Sequence, residues 1–167
     1  MACRKRFVLI VDDDADTREV FFEEASDQVR MLGAATWIEI CAFTCPHELF
    51  CALDLPQQKK GVGQPIAEID SLREASGLLT IDGNMPCRHQ EQIHGIDAIR
   101  IIRAQKNLSR FLIFLISGTL DHEIREEAGR LRAGAIQKPA CLEISKIFHD
   151  AFNHWQQEDA AAQKEAR

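Results

Sequence analysis

No apolar run in this 167-residue chain approaches the roughly 20 residues that a bilayer-spanning helix needs, so membrane insertion is not expected. Positive charge is not in excess either. The 20 Lys and Arg stand against 26 Asp and Glu, and the formal net charge of −6 gives nucleic-acid binding no electrostatic support. The opening MACRKRF is basic, but it lacks the apolar core and small-residue cleavage site of a secretory signal. The expected compartment is therefore the cytoplasm, and the expected state of Cys3, Cys41, Cys45, Cys51, Cys87 and Cys141 is the free thiol. Cys41, Cys45 and Cys51 lie close in sequence with His47 between them, yet the paired spacing of a structural zinc site is missing. They read as small buried hydrophobes. A hydrophobic share of 46% and a charged share of 28% suit one domain with a core of ordinary size.

The most informative stretch is Phe7 to Asp14, FVLIVDDD. Five apolar residues without alternation read as a strand buried on both faces, as in a parallel sheet. Three consecutive carboxylates serve no packing purpose. Charges this close repel by about 1 kcal/mol or more each at an effective dielectric of about 20. One carboxylate can cap the following helix. Three call for a divalent cation to offset them.

The rest of the chain alternates. DDDADTRE opens a helix, capped by Asp14 or by an Asp16–Glu19 capping box, with Phe21, Ala25, Val29 and Leu32 as its apolar stripe, Val20 beside them and Gly33 as its stop. Thr36 to Thr44 is a second strand, and Pro46 starts a short helix. The segment from Pro56 to Pro65 is a loop, followed by a short helix from Ile66 to Ser76 that Gly77 breaks. LLTID is a third strand ending on Asp82. A long polar loop leads to Gly95 and a helix from Ile96 to Lys106. RFLIFLIS is a fourth strand ending on Ser117, followed by a helix from Leu120 to Arg132. A fifth strand runs over residues 134–137 to Lys138 and Pro139. A last helix spans about 141–157, and the polar tail 158–167 is expected to fray. Strand–helix alternation of this kind implies a parallel sheet with helices on both faces. Ligands bind such sheets at the carboxyl ends of the strands. Asp12, Asp13, Asp14, Asp82, Ser117 and Lys138 all fall at those ends.

VLIVDDD, LLTIDGNMP, FLIFLISG and IQKP, in that order, resemble the receiver domain of two-component response regulators in its short, stand-alone, chemotaxis-regulator form. The resemblance implies a flavodoxin-like, doubly wound α/β fold with a five-stranded parallel sheet in the order 2-1-3-4-5. It implies a receiver domain over 1–157 with inserts at about 56–70 and 86–95, and no output domain beyond it. Asp82 would be the phosphoacceptor, modified by a histidine kinase or histidine phosphotransfer protein. Asp13 would bind Mg2+ directly, Asp12 through water, and Asn84 through its backbone carbonyl, with Asp82 completing the set. Ser117 would hydrogen-bond a phosphoryl oxygen, and Lys138 would pair with the phosphate. The peptide bond to Pro139 is often cis in this family. The signal would leave through a downstream effector protein. No enzyme activity is implied beyond self-catalysed phosphoryl transfer and autodephosphorylation.

Three departures stand out. Ala135 occupies the position of the family's usual aromatic residue, so output is expected to use another element. The 86–95 loop is long enough for Arg88, His89 or His94 to overhang the site. The segment around 56–70 is extra and is expected on the opposite edge. Two alternatives follow from the same residues. One is a receiver-like scaffold that works without phosphorylation. The other is a haloacid-dehalogenase-like phosphatase, which Asp12, Asp14, Ser117 and Lys138 imitate, although only Glu143 and Asp150 follow the lysine and Asp82 is left unused.

Overall fold

The computed structural model describes residues 5–33, 38–55, 76–85 and 93–165. The expectations at Cys3, Trp37, residues 56–75 and residues 86–92, with Cys87, Arg88 and His89 among them, lie outside the described residues. The element order is β1 (Arg6–Val11), α1 (Ala15–Leu32), β2 (Ile38–Phe43), α2 (Pro46–Ala52), β3 (Gly77–Asp82), α3 (Gly95–Arg103), a 3-10 turn (Lys106–Leu108), β4 (Phe111–Ser117), α4 (His122–Arg130), β5 (Ala133–Gln137) and α5 (Cys141–Glu165). The five strands form one sheet in the order β2-β1-β3-β4-β5, every neighbouring pair parallel, as expected.

The period of two along a strand explains how one apolar run serves two cores. Phe7, Leu9 and Val11 of β1 face a cluster with Phe50 of α2 and Ile99 and Ile102 of α3. Val8 and Ile10 face the other way, onto Phe21 and Ala25 of α1 and Phe148, Phe152 and Trp155 of α5. All six residues of β1 and of β3 are buried. No described helix is long and apolar enough to cross a membrane. Cys41, Cys45 and Cys51 are not in disulfides, and burial followed by the charge of Glu39 pushes the Cys41 thiol up to about 11.

Several local expectations are corrected. The cap of α1 is Asp14, whose carboxylate accepts from the Thr17 amide at 2.7 Å, and not an Asp16–Glu19 box. Val20 is 46% exposed; Gln28 joins Phe21, Ala25 and Val29 on the buried side instead, hydrogen-bonded to Glu24 at 3.0 Å. Gly77 is the first residue of β3, where a Cβ would lie 2.3 Å from the Phe111 ring; the helix it was expected to end lies outside the described residues. Helix α3 ends at Arg103, whose guanidinium turns to the carbonyls of Leu131, Phe111 and Arg132 at 2.9, 3.0 and 2.8 Å.

The largest correction concerns the tail, which continues α5 to Glu165. The helix-favouring run of alanines supports this, but the anchor is Arg6. That residue is 3% exposed. Its guanidinium pairs with Asp159 at 3.0 Å and Glu158 at 3.1 Å, hydrogen-bonds Ser76 Oγ, and lies 5.3 Å from the centre of the Trp155 ring.

Candidate functional site

Parallel pairing puts the carboxyl ends of all five strands on one edge. Asp12 follows β1, Asp82 ends β3, Ser117 ends β4 and Lys138 follows β5. Because β1 and β3 are neighbours in register, with Val11 opposite Ile81, Asp12 and Asp82 come side by side. The Lys138 amide donates to the Ser117 carbonyl at 2.9 Å, tying the lysine to the end of β4. From there its side chain reaches across: Nζ lies 2.9 Å from Asp12 Oδ2 and 2.6 Å from Asp82 Oδ1. The Lys138–Pro139 peptide bond is cis.

Asp12, Asp82 and Ser117 are 1%, 5% and 5% exposed, so their polar atoms need partners within the protein. Asp12 Oδ1 accepts from the Asp14 amide at 3.0 Å, and Asp82 Oδ2 from the Asn84 amide at 2.9 Å. With Lys138, every oxygen of the two carboxylates has a donor. Ser117 Oγ donates to the Thr119 carbonyl at 3.0 Å and accepts from its amide at 3.3 Å. Asp13 and Asn84 are exposed at the rim.

Two supporting contacts escaped the sequence reading. Arg18 Nη1 donates to the Asp12 carbonyl at 2.7 Å. Gly95 begins α3 hard against β3: its amide donates to the Gly83 carbonyl at 3.2 Å, and a Cβ there would meet the Asp82 carbonyl oxygen at 2.2 Å. Only glycine permits that approach. Beside these residues a cleft of about 340 Å³ opens between the ends of β3 and β4, walled by Asn84, His94, Ser117 and Thr119 over Leu115 and Ile124. His94 is thus brought to the site edge.

The electrostatics of the acid pair follow from burial. Desolvation pushes the Asp12 carboxyl above its ordinary value despite the Lys138 hydrogen bond and attraction, and the Asp82 charge acts in the same direction. Burial alone would pull Lys138 down, but its hydrogen bonds to Asp82 and Asp12 outweigh this and raise it, so it stays an ammonium. A carboxyl with a raised folded pKa favours folding fully only below the unfolded value, 3.8 for Asp12, and loses that contribution as pH rises through the folded value. Ionised Asp12 therefore costs stability at neutral pH. In chelator at pH 7, Asp12→Asn is expected to melt no lower than the native protein. A fall of more than about 5 °C by calorimetry would contradict this assignment.

Among the described residues no three His, Cys, Asp or Glu side chains come together as a group that could hold a metal ion, so a cation here would rest on one or two carboxylates. The donors at this edge are hard oxygens: the carboxylates of Asp12, Asp13 and Asp82 and the carbonyl of Asn84. Mg2+ and Mn2+ favour such donors and commonly take only one or two carboxylates, completing their shells with water. Asp12 and Asp82 share one ammonium, which leaves negative charge that a divalent cation offsets. The residues present fit such a cation. The acidic pair that a dehalogenase-like phosphatase would need on a strand after Lys138 does not form, since Glu143 and Asp150 are both exposed on α5.

No protein-family model matches this sequence, and no curated protein matches it. Solved structures do. A response regulator receiver domain from Rhodospirillum rubrum superposes with a TM-score of 0.61 at 16% identity, over 86% of this chain and 91% of that one. The phosphorylated cyanobacterial phytochrome response regulator RcpA gives 0.60 at 15% identity, over 91% and 94%. The Mn2+-bound form of response regulator Rcp1 gives 0.57 at 15% identity, over 89% and 93%. The chain has the CheY-like, flavodoxin-like receiver fold of response regulators.

Proposed function

We propose that this protein is a phosphoacceptor in phosphorelay signalling, with Asp82 as the residue modified. The observation that carries the reading is the Lys138 ammonium held between two buried carboxylates from different strands, 2.9 Å from Asp12 and 2.6 Å from Asp82. Phosphoryl transfer asks little covalent help of a protein; it needs an in-line nucleophile and positive charge around three phosphoryl oxygens. Asp82 supplies the nucleophile, and the transfer yields an acyl phosphate. Lys138 follows the charge from the free carboxylate to the phosphoryl group. Ser117 Oγ, satisfied among the described residues by the neighbouring Thr119 backbone, can turn to donate to a phosphoryl oxygen.

Asp13, Asp12, Asp82 and the carbonyl of Asn84 would hold Mg2+, as the Mn2+ of Rcp1 suggests by analogy. Bound there, the cation supplies a second positive centre for the phosphoryl oxygens. The phosphoryl donor is a histidine kinase or a histidine phosphotransfer protein, and the recipient of the signal is an effector protein, reached by a shift between two surface states. On this reading the protein acts in the cytoplasm.

Incubation with Mg2+ and a small acyl-phosphate or phosphoramidate donor tests the reading. The intact mass should rise by one phosphoryl group and should not rise in chelator. No gain with Mg2+ present would leave the phosphorylation-independent scaffold in its place. Lys138→Ala is expected to accept the label still, but to lose the change in amide hydrogen exchange across β4 and α4 that labelling induces in the native protein. Equal exchange changes in both proteins would remove Lys138 from the coupling.

A further inference from the structure

The cleft beside Asp82 contains one ionisable wall residue, His94, and nothing in the fold requires it there. It stands at the N-cap position of α3 but makes no capping hydrogen bond. Its imidazole is exposed and has no hydrogen-bond or ion-pair partner among the described residues. Its place is nevertheless fixed, because the next residue, Gly95, is pinned by its amide to the Gly83 carbonyl at 3.2 Å, directly against the Asp82 backbone. Gly83 is pressed as closely: a Cβ on it would lie 2.7 Å from Ser117 Oγ. The wall that carries His94 is thus packed against the backbone of Asp82 and the side chain of Ser117. Asp12, on the β1 side, takes the other flank of the Asp82 carboxylate together with Lys138. The cleft is lined by Gly83, Asn84 and Ser117, the neighbours of Asp82 rather than Asp82 itself, and its volume of about 340 Å³ admits several water molecules.

We propose that His94 orients the water that hydrolyses the phosphoryl group on Asp82, and so sets how long the modified state lasts; this rests on the reading of Asp82 as phosphoacceptor. A ring nitrogen accepts a hydrogen bond from the water and aims the oxygen lone pair at phosphorus. The water oxygen–phosphorus bond forms as the bond from phosphorus to the Asp82 oxygen breaks. The electron pair returns to the Asp82 carboxylate, and the water proton passes to a phosphoryl oxygen, so that inorganic phosphate leaves. Positioning is the main contribution a protein makes to this chemistry, and a single well-placed hydrogen bond acts through it.

The test follows decay of the label by intact mass, after acyl-phosphate labelling in Mg2+ and removal of the donor. His94→Ala should lengthen the half-life about tenfold, while His94→Gln, which keeps a hydrogen-bonding group, should stay within about threefold of native. The rate of label uptake should be unchanged in both. His94 is exposed, so both variants should fold, which far-UV circular dichroism checks. An unchanged half-life in His94→Ala overturns the proposal while leaving Asp82 as acceptor. Uptake and decay slowed alike also overturn it, because His94 would then govern access only. A native protein that takes no label removes the reading beneath it.

Discussion

Asp82→Asn is expected to fold normally and to take up no phosphoryl group. The amide that replaces the carboxylate lacks an anionic oxygen, so nucleophilic attack on phosphorus fails and labelling falls by more than about a hundredfold, to background. Its remaining oxygen can still accept from Lys138 or from the Asn84 amide, which lie 2.6 and 2.9 Å from the native oxygens. One buried negative charge is also removed from beside Asp12. Melting within a few degrees of native is expected for that reason. Intact mass after donor treatment reads the first outcome and calorimetry the second. Label retained at another carboxylate, Asp12 above all, would revive the phosphatase alternative and displace Asp82 from its role.

The second large effect lies at the other end of the sheet. Arg6→Ala is expected to destabilise the fold by about 3 kcal/mol, because removing one partner of a buried pair leaves the other charge without compensation. Asp159 bears most of that cost, since its side chain is 18% exposed and one of its oxygens already lacks a partner, whereas Glu158 is 48% exposed and can turn to water. The cation over the Trp155 ring is lost as well. For a chain of this size the melting temperature should fall by about 6–12 °C. Glu158→Ala, removing the solvated partner, should cost less than about 1 kcal/mol. Chemical denaturation of the two variants checks both values. Equal, small effects would mean that the extension of α5 is held by helix propensity alone.

The strand order and the meeting of Asp12, Asp82, Ser117 and Lys138 were legible because each follows from a local pattern: an apolar run ending on a chemically useful group, repeated four times along a parallel sheet. Register then does the rest. The tail was misread because the tether of α5 is not local. Nothing in the basic string MACRKRF sets Arg6 apart from its neighbours, and its partner Asp159 lies 153 residues away in the chain. Arg18 escaped notice for a similar reason, as a helix arginine looks solvated until its contact with the Asp12 carbonyl is seen. Residue type sets Val20 beside the apolar stripe, whereas the helix buries Gln28 and exposes the valine. His94 was legible only as a loop residue within reach of the site, and the pinning of Gly95 is what fixes it beside Asp82.

The account stands on one acid carrying the modification. Borohydride reduction of the freshly labelled protein converts an aspartyl phosphate to homoserine and marks its position for peptide mass mapping. The expected result is homoserine at position 82 and at no other aspartate, formed only when Mg2+ and the donor are both present. Homoserine at position 12 or 13, or an unmodified Asp82 in a protein that has taken up label, would contradict it.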